Sequence, residues 1–402
     1  MSVVSRGRIG EVLADGGGIL RLQPCWVART LARPGRRLGL PDAAYDLGER
    51  GAICERWLAS TTRADNRIGP EDEGLSYIDM PDGSQLTLRD AIEAAPAMIM
   101  GETYAASHGG LERLAKILDY GSRLPFHLHP RARHASLVGR RQKDEAYYFP
   151  EGYDLGPHPE TFFGVHPWLA EGRGRETLLP YLVKWDSDLV LRHSQAYLQV
   201  PMEGFHVPSG VLHAPGTAVT VELQEDSDVF AMLQAVNDGW MISKELMFKD
   251  VRPEDRASFG ELFILELIDW EANTDPYFYE NHHLSLRADP ASEQAAGSQS
   301  WIFYNTSKFS GKRLAVRPSS TYRSIDAGVY SLLVLSGRGQ IGGHEVQAGF
   351  PGRDELLIAS DTAIRGVDVV NDDPLQELVV LKFYGPDVNR DVPKLPFRPS
   401  RP

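Results

Sequence analysis

A chain of 402 residues, 42% hydrophobic and 24% charged, is long enough for two or three folding units and has the make-up of an ordinary globular protein. Its formal charge of -13 argues against a duplex-binding surface, which needs clustered Lys and Arg, so nucleic acid is not expected as a partner. Cys25 and Cys54 are too few for a disulfide framework, and a reducing cytoplasm is the expected setting. The stretch Met1 to Leu20 carries Arg6, Arg8, Glu11 and Asp15 without an apolar segment, which does not read as a secretory signal. No run approaches the ~18 apolar residues of a membrane span.

Taken in chain order, the elements read mainly as β. The 38 glycines and 27 prolines punctuate short runs rich in strand formers. Strands are expected at 18–22 and 52–58, and a helix starts within Leu86 to Ile92. The run 110–118 has apolar residues at 111, 114, 117 and 118, a helical stripe or a buried strand. Residues 131–188, with Pro150, Gly152, Pro157, Pro159, Pro167 and Pro180 spread through them, read as a helical or loop insertion capping a barrel. Strands resume over 190–235, where Ala218 to Leu223 alternates. The polar segment 275–300 reads as a linker. Beyond it, runs at 314–316, 330–335 and 377–383, and a strand, Gly turn and strand over 334–341, describe a second β unit. The predicted organisation is a metal-binding domain over 1–273 and a second, metal-free barrel over 301–402, whose role is structural or dimerising, so that a homo-oligomer would form through it.

The chemistry concentrates in His127-Leu128-His129-Pro130, Lys143-Asp144-Glu145 and Pro208-Ser209-Gly210-Val211-Leu212-His213. Residues i and i+2 of a strand share a face, so His127 and His129 present both imidazoles together. A turn with Pro208 and Gly210 then delivers a third histidine, His213. Three neutral imidazoles and the Glu145 carboxylate suit one divalent ion, Zn, Mn, Fe, Co or Ni, at the mouth of a barrel.

These segments resemble the cupin superfamily and, within it, the type I phosphomannose isomerases, in order along residues 50–235. Glu55-Arg56-Trp57 resembles the family's Glu-x-Trp segment. Leu118 to Pro130 is similar to its segment ending Gln-x-His-Pro, with His127 at the Gln and His129 at the first ligand histidine. Lys143-Asp144-Glu145 resembles Lys-Pro-Glu, which supplies a ligand glutamate. Phe163 to Pro167 is similar to Gly-Phe-Arg-Pro, Leu212-His213-Ala214 to the segment of the last ligand histidine, and Val221 to Asp228 to the strand ending Ser-Asp-Asn. The resemblance implies a bicupin, two jelly-roll barrels with a helical insertion in the N-terminal half. The arginine after Ser-Asp-Asn is absent, Val229 following Asp228, and His166 stands at the Gly-Phe-Arg-Pro arginine. A phosphate dianion needs such cations, so an uncharged sugar or keto-sugar derivative is the implied substrate.

The implied reaction is aldose-ketose isomerisation through an enediol, with Lys143, Glu222 and His206 as candidate catalytic residues and Glu225 beside them. Trp57, Tyr147 and Trp168 are candidates to stack on a sugar face. His134, His158 and His193 are read as surface residues. A His-rich site with open positions also suits a mononuclear iron dioxygenase, and a non-catalytic sugar-binding protein with a structural metal is the third alternative.

Overall fold

The computed structural model describes residues 6–399; the first five residues of the stretch read for a signal, and the last three of the second predicted domain, lie outside it. The chain divides into two compact units. One comprises Met1–Val27, Glu55–Ile117 and Leu284–Lys394, the other Ala28–Cys54, Leu118–His283 and Leu395–Pro402. Among the described residues no helix is long and apolar enough to cross a membrane.

The first unit holds a nine-stranded sheet in the order Arg287–Gln294, Gly297–Phe303, Ser310–Val316, Leu378–Tyr384, Tyr330–Ser336, Glu355–Ile358, Ile19–Gln23, Tyr77–Asp79 and Gln85–Thr87. A four-stranded sheet, Thr321–Ser324, Val367–Asn371, Arg338–Ile341 and His344–Gln347, shares a core with it, in which Leu314, Tyr330, Val334 and Leu356 of the larger sheet meet Tyr322, Ile341, Val346 and Val369 of the smaller. Gly337, at φ +83, makes the turn expected within 334–341. Helices Arg6–Asp15, Leu88–Ala94 and Pro96–Met100 bury Ile9, Leu13, Leu88, Ile92 and Ile99 against Leu20, Leu22, Ile78 and Leu357. Thr87 caps the second of these by accepting from the Asp90 amide.

The second unit carries the functional face. Its five-stranded sheet runs Gln195–Leu198, Glu160–Phe163, His213–Ala214, His127–Leu128 and Ala231–Met232. Strands Gly204–Val207, Glu145–Tyr148 and Thr220–Gln224 pair antiparallel beside one another. The helix Glu171–Lys184 and the shorter helices Glu261–Glu266 and Trp270–Asn273 bury Leu178, Leu182, Ile264, Leu265 and Trp270 in one core with Phe126, Leu128 and Met232.

This architecture corrects the expectation of a mainly β pair of jelly-roll barrels. The fold is mixed α and β, and the sheets end at free edges, such as Arg287–Gln294 and Gln85–Thr87 in the largest, instead of closing. Helices were illegible for local reasons. Glu171–Lys184 contains Gly172, Gly174 and Pro180, residues that break helices, and is held by tertiary packing. Gly174 lies where a Cβ would come within 2.2 Å of the Trp270 ring, so the glycine is there to let that ring in. Many other helices span four to seven residues, too short to display a 3.6-residue period. The polar segment 275–300 is not a bare linker. It holds the helix Phe278–His282 and the edge strand Arg287–Gln294, exposed on both faces except at the half-buried Asp289 and the buried Ser292 and therefore without alternation. The run 110–118 resolves to the buried strand Leu114–Leu118.

Candidate metal centre

Strand pairing assembles the face. His213 lies directly opposite His127 on one side and Phe163 on the other, and Met232 lies opposite His127. His129 follows His127 by two residues and returns to the same side. The turn before His213 requires its glycine. Gly210 adopts φ +89, its amide donates to the His129 carbonyl at 2.7 Å, and an added Cβ would sit 3.0 Å from Asp269 Cβ. The Ser209 amide donates to Asp144 Oδ1 at 2.9 Å, tying the turn to the strand that carries Glu145.

One ring nitrogen from each of His127, His129 and His213 lies within 4.8 Å of the others. The remaining nitrogen of each ring is already committed. Nδ1 faces the Pro125 carbonyl at 2.7 Å in His127, the Val229 carbonyl at 2.7 Å in His129 and the Val211 carbonyl at 2.9 Å in His213. A carbonyl only accepts, so Nδ1 carries the proton and Nε2 of each neutral ring is a lone pair. This is how metal-binding imidazoles are usually oriented.

Glu145 lies beside two of the three rings. Its Oε2 is 3.0 Å from His129 Nε2 and its Oε1 is 3.1 Å from His213 Nε2, and neither imidazole nitrogen makes a hydrogen bond. Burial is the largest influence on the Glu145 carboxyl and pushes its pKa up, but Lys143, His129 and His213 outweigh it and hold the group well below the usual range. Burial, then Lys143, lowers His129 to about 4. Burial, His213 and His129 lower His127 well below the ordinary value. At neutral pH the uncharged His129 Nε2 therefore faces an ionised oxygen at hydrogen-bond distance without a proton between them. His127, His129 and His213 are a group that could hold a divalent ion, with Glu145 against two of the three rings.

The cross-strand register sorts the candidate catalytic residues. Glu145 pairs with Gln224 and Val207, and Tyr147 with Glu222 and Phe205, so Lys143, Glu145, Tyr147 and Glu222 share one face. Lys143 Nζ lies 2.8 Å from Glu145 Oε2 and 3.5 Å from Glu222 Oε1. Burial lowers the Lys143 pKa, but Glu145 and Glu222 outweigh it and hold the ammonium charged. His206 pairs with Ala146 and points to the other face, 3.9 Å from Asp144, so the structure does not bring it to this cluster. Glu225 is buried and accepts from the Asp144 amide at 3.0 Å, tying two strands together.

Of the aromatic candidates, Tyr147 lies in the cluster, donating its phenol to Glu145. Trp57 belongs to the first unit, fully buried with Nε1 on Glu55. Trp168 is exposed and stacks on His166. His193, expected at the surface, is buried and lies 3.1 Å from the Tyr181 hydroxyl. The sequence reading missed Tyr147 as a hydrogen-bond partner of Glu145. Their i, i+2 spacing on one strand was the available signal.

No protein-family model matches the chain. Over 142 residues, 33% of this chain, it is 29% identical to mannose-6-phosphate isomerase of Escherichia coli K12, and the match spans 36% of that protein. In solved structures it superposes on mannose 6-phosphate isomerase of Bacillus subtilis with a TM-score of 0.62 at 15% identity, over 91% of this chain and 99% of that one. A zinc-bound mannose 6-phosphate isomerase gives 0.59 at 12% identity, over 92% and 100%. The chain thus shares the fold of these isomerases and a distant sequence likeness over a third of its length.

Proposed function

We propose that the chain is a metal-dependent isomerase that interconverts an uncharged sugar or keto-sugar derivative by enediol proton transfer. The observation that supports this most is the convergence of three imidazole lone pairs and an ionised glutamate, with every Nδ1 tied to a carbonyl. The ion would be held by His127, His129, His213 and Glu145, and when bound it would stabilise an oxyanion developing on substrate as a Lewis acid. Likeness to mannose-6-phosphate isomerases in fold supports the reaction class.

Glu222 is the base in this reading. It shares the face of Glu145, and its carboxylate takes the proton from one carbon and returns it to the neighbouring carbon. Lys143, a cation between the two carboxylates, lies 3.5 Å from Glu222 and offers a proton-donating group to a substrate oxygen. An uncharged substrate is favoured by the company the cations keep. Lys143 pairs with Glu145 and Glu222, Arg131 with Asp269, Arg29 with Asp228 and Arg141 with Asp226. A phosphate dianion would have to displace one of these carboxylates, at a cost in desolvation.

The experiment is metal analysis of the purified protein, then incubation with free aldoses, ketoses and 3-keto-sugars in deuterated water without oxygen. Exchange of one carbon-bound hydrogen, dependent on the added ion, is the expected result. Oxygen consumption with Fe(II) and no exchange would replace the isomerase by an oxygenase, and metal binding with neither would leave a binding protein.

A further inference from the structure

We infer that Tyr147 is a positioning residue for the metal centre, fixing the Glu145 carboxylate in the orientation that lets it share an ion with the imidazoles; this rests on the reading of Glu145 as a ligand. The likeness to other isomerases does not supply it. It follows from what surrounds one carboxylate.

A glutamate side chain is poorly suited to hold its own carboxylate in place, because its last torsion has a broad, two-fold energy profile. Here the two oxygens are assigned separate duties. Oε2 faces His129 Nε2 and lies 2.8 Å from the Lys143 ammonium as an ion pair, while Oε1 faces His213 Nε2 and receives the phenol of Tyr147. The directional hydrogen bond on Oε1 and the ion pair on Oε2 together define the carboxylate plane. With Lys143 alone, the group can rotate about its ammonium contact and withdraw Oε1 from His213.

The donor is itself held. Tyr147 is 1% exposed, its ring stacks near Phe163 at a centroid distance of 6.4 Å, and Phe163 is the strand neighbour of His213. The same ring therefore leans on the strand of one imidazole while its hydroxyl reaches the carboxylate beside it. An acceptor-only carboxylate and a donor phenol leave one sense for the bond.

The test is Tyr147→Phe in the full chain, which keeps the ring and deletes the oxygen, with Zn(II) affinity read by chelator competition and Co(II) absorption as the coordination signature. Outer partners of metal ligands typically govern about 10–100-fold in affinity, and a loss in that range with a changed Co(II) spectrum is expected. The metal-free variant should still unfold cooperatively, at a midpoint lowered by the loss of the buried hydrogen bond to Glu145, so affinities are compared under conditions where both proteins are folded. A double-mutant cycle then isolates the route, because in a Glu145→Ala background Tyr147→Phe should cost no further affinity. Equal Zn(II) affinity of Tyr147→Phe and parent, or the same loss with and without Glu145, overturns the inference. Failure of the parent to bind Zn(II) or Co(II) overturns instead the metal reading on which it rests.

Discussion

Two buried clusters, one in each unit, combine a lysine, carboxylates and tyrosine hydroxyls, and they differ in whether their bonding is complete. In the first unit Lys382 reaches Asp326 at 2.9 and 3.1 Å and Ser324 at 2.5 Å, and Tyr384 donates to the same aspartate at 2.5 Å. Three ammonium donors meet three oxygens, which makes this a closed network. In the second unit Tyr147 donates to Glu145 and Lys143 pairs with it, but the Nε2 atoms of His129 and His213 lie 3.0 and 3.1 Å from its oxygens without a hydrogen bond. A saturated buried network rigidifies a core; one left short of a partner is a candidate site for a cation.

The largest effects should separate the clusters completely. His213→Ala is expected to lower Zn(II) affinity by more than about 100-fold, beyond the range of outer partners, and to abolish the Tm gain that added metal gives the parent. Glu222→Gln should instead keep the metal and lose about 100- to 10,000-fold in the rate of deuterium exchange, the usual contribution of a general base. If Glu222→Gln released the ion as His213→Ala does, Glu222 would be a ligand and the division of labour between the two glutamates would fall.

Lys382→Met should have the opposite profile. Removing one partner of a buried pair costs about 3–5 kcal/mol, because Asp326 keeps its charge with only Ser324 and Tyr384 to solvate it. Zn(II) affinity should be unchanged. Pairing it with Asp326→Leu should recover part of the loss but not all, since the Ser324 and Tyr384 hydroxyls are then left without their acceptor. Urea unfolding of the two variants measures this, and a fully neutral Lys382→Met would mean that the network carries no charge.

The site was more legible in the sequence than the fold around it. His127, His129 and His213 come together as expected because residues two apart on an extended chain return to the same side, and one turn glycine with positive φ announces where His213 must return. The same periodicity does not reveal the neighbour across a ladder. His206 seemed as close to the ligands as Lys143, yet its register against Ala146 turns it to the opposite face. Sheet closure was illegible for a related reason. A strand's sequence does not say whether its far edge is paired, and the edge strand Arg287–Gln294 looked like a linker because neither of its faces is buried.

The finest contrast between the units is their response to acid. In the second unit burial, then Lys143, lowers His129 to about 4, and burial, then His206, lowers His282 to about 3. Unfolded, both take a proton near the ordinary value of about 6.5. Their stabilising contribution is complete above that value and declines as pH falls toward about 4 and then 3, because the unfolded chain binds protons that the fold refuses. In the first unit the signs differ. Burial, opposed by Arg56, raises Glu355 to about 6, so between about 4.3 and 6 the folded state binds the extra proton and this group's contribution grows as pH falls. Burial also works against the Asp326 carboxylate, but Lys382 outweighs it and lowers its pKa, so that contribution is complete above about 3.9 and is lost only below. Hydrogen exchange of the metal-free protein at pH 7 and pH 5, corrected for intrinsic rates, should therefore show protection falling in peptides around 126–130 and 278–283, with those around 321–326 and 378–384 unchanged. An equal loss in both sets would mean that the imidazoles are not buried neutral, and with that the lone pairs attributed to Nε2 would be lost.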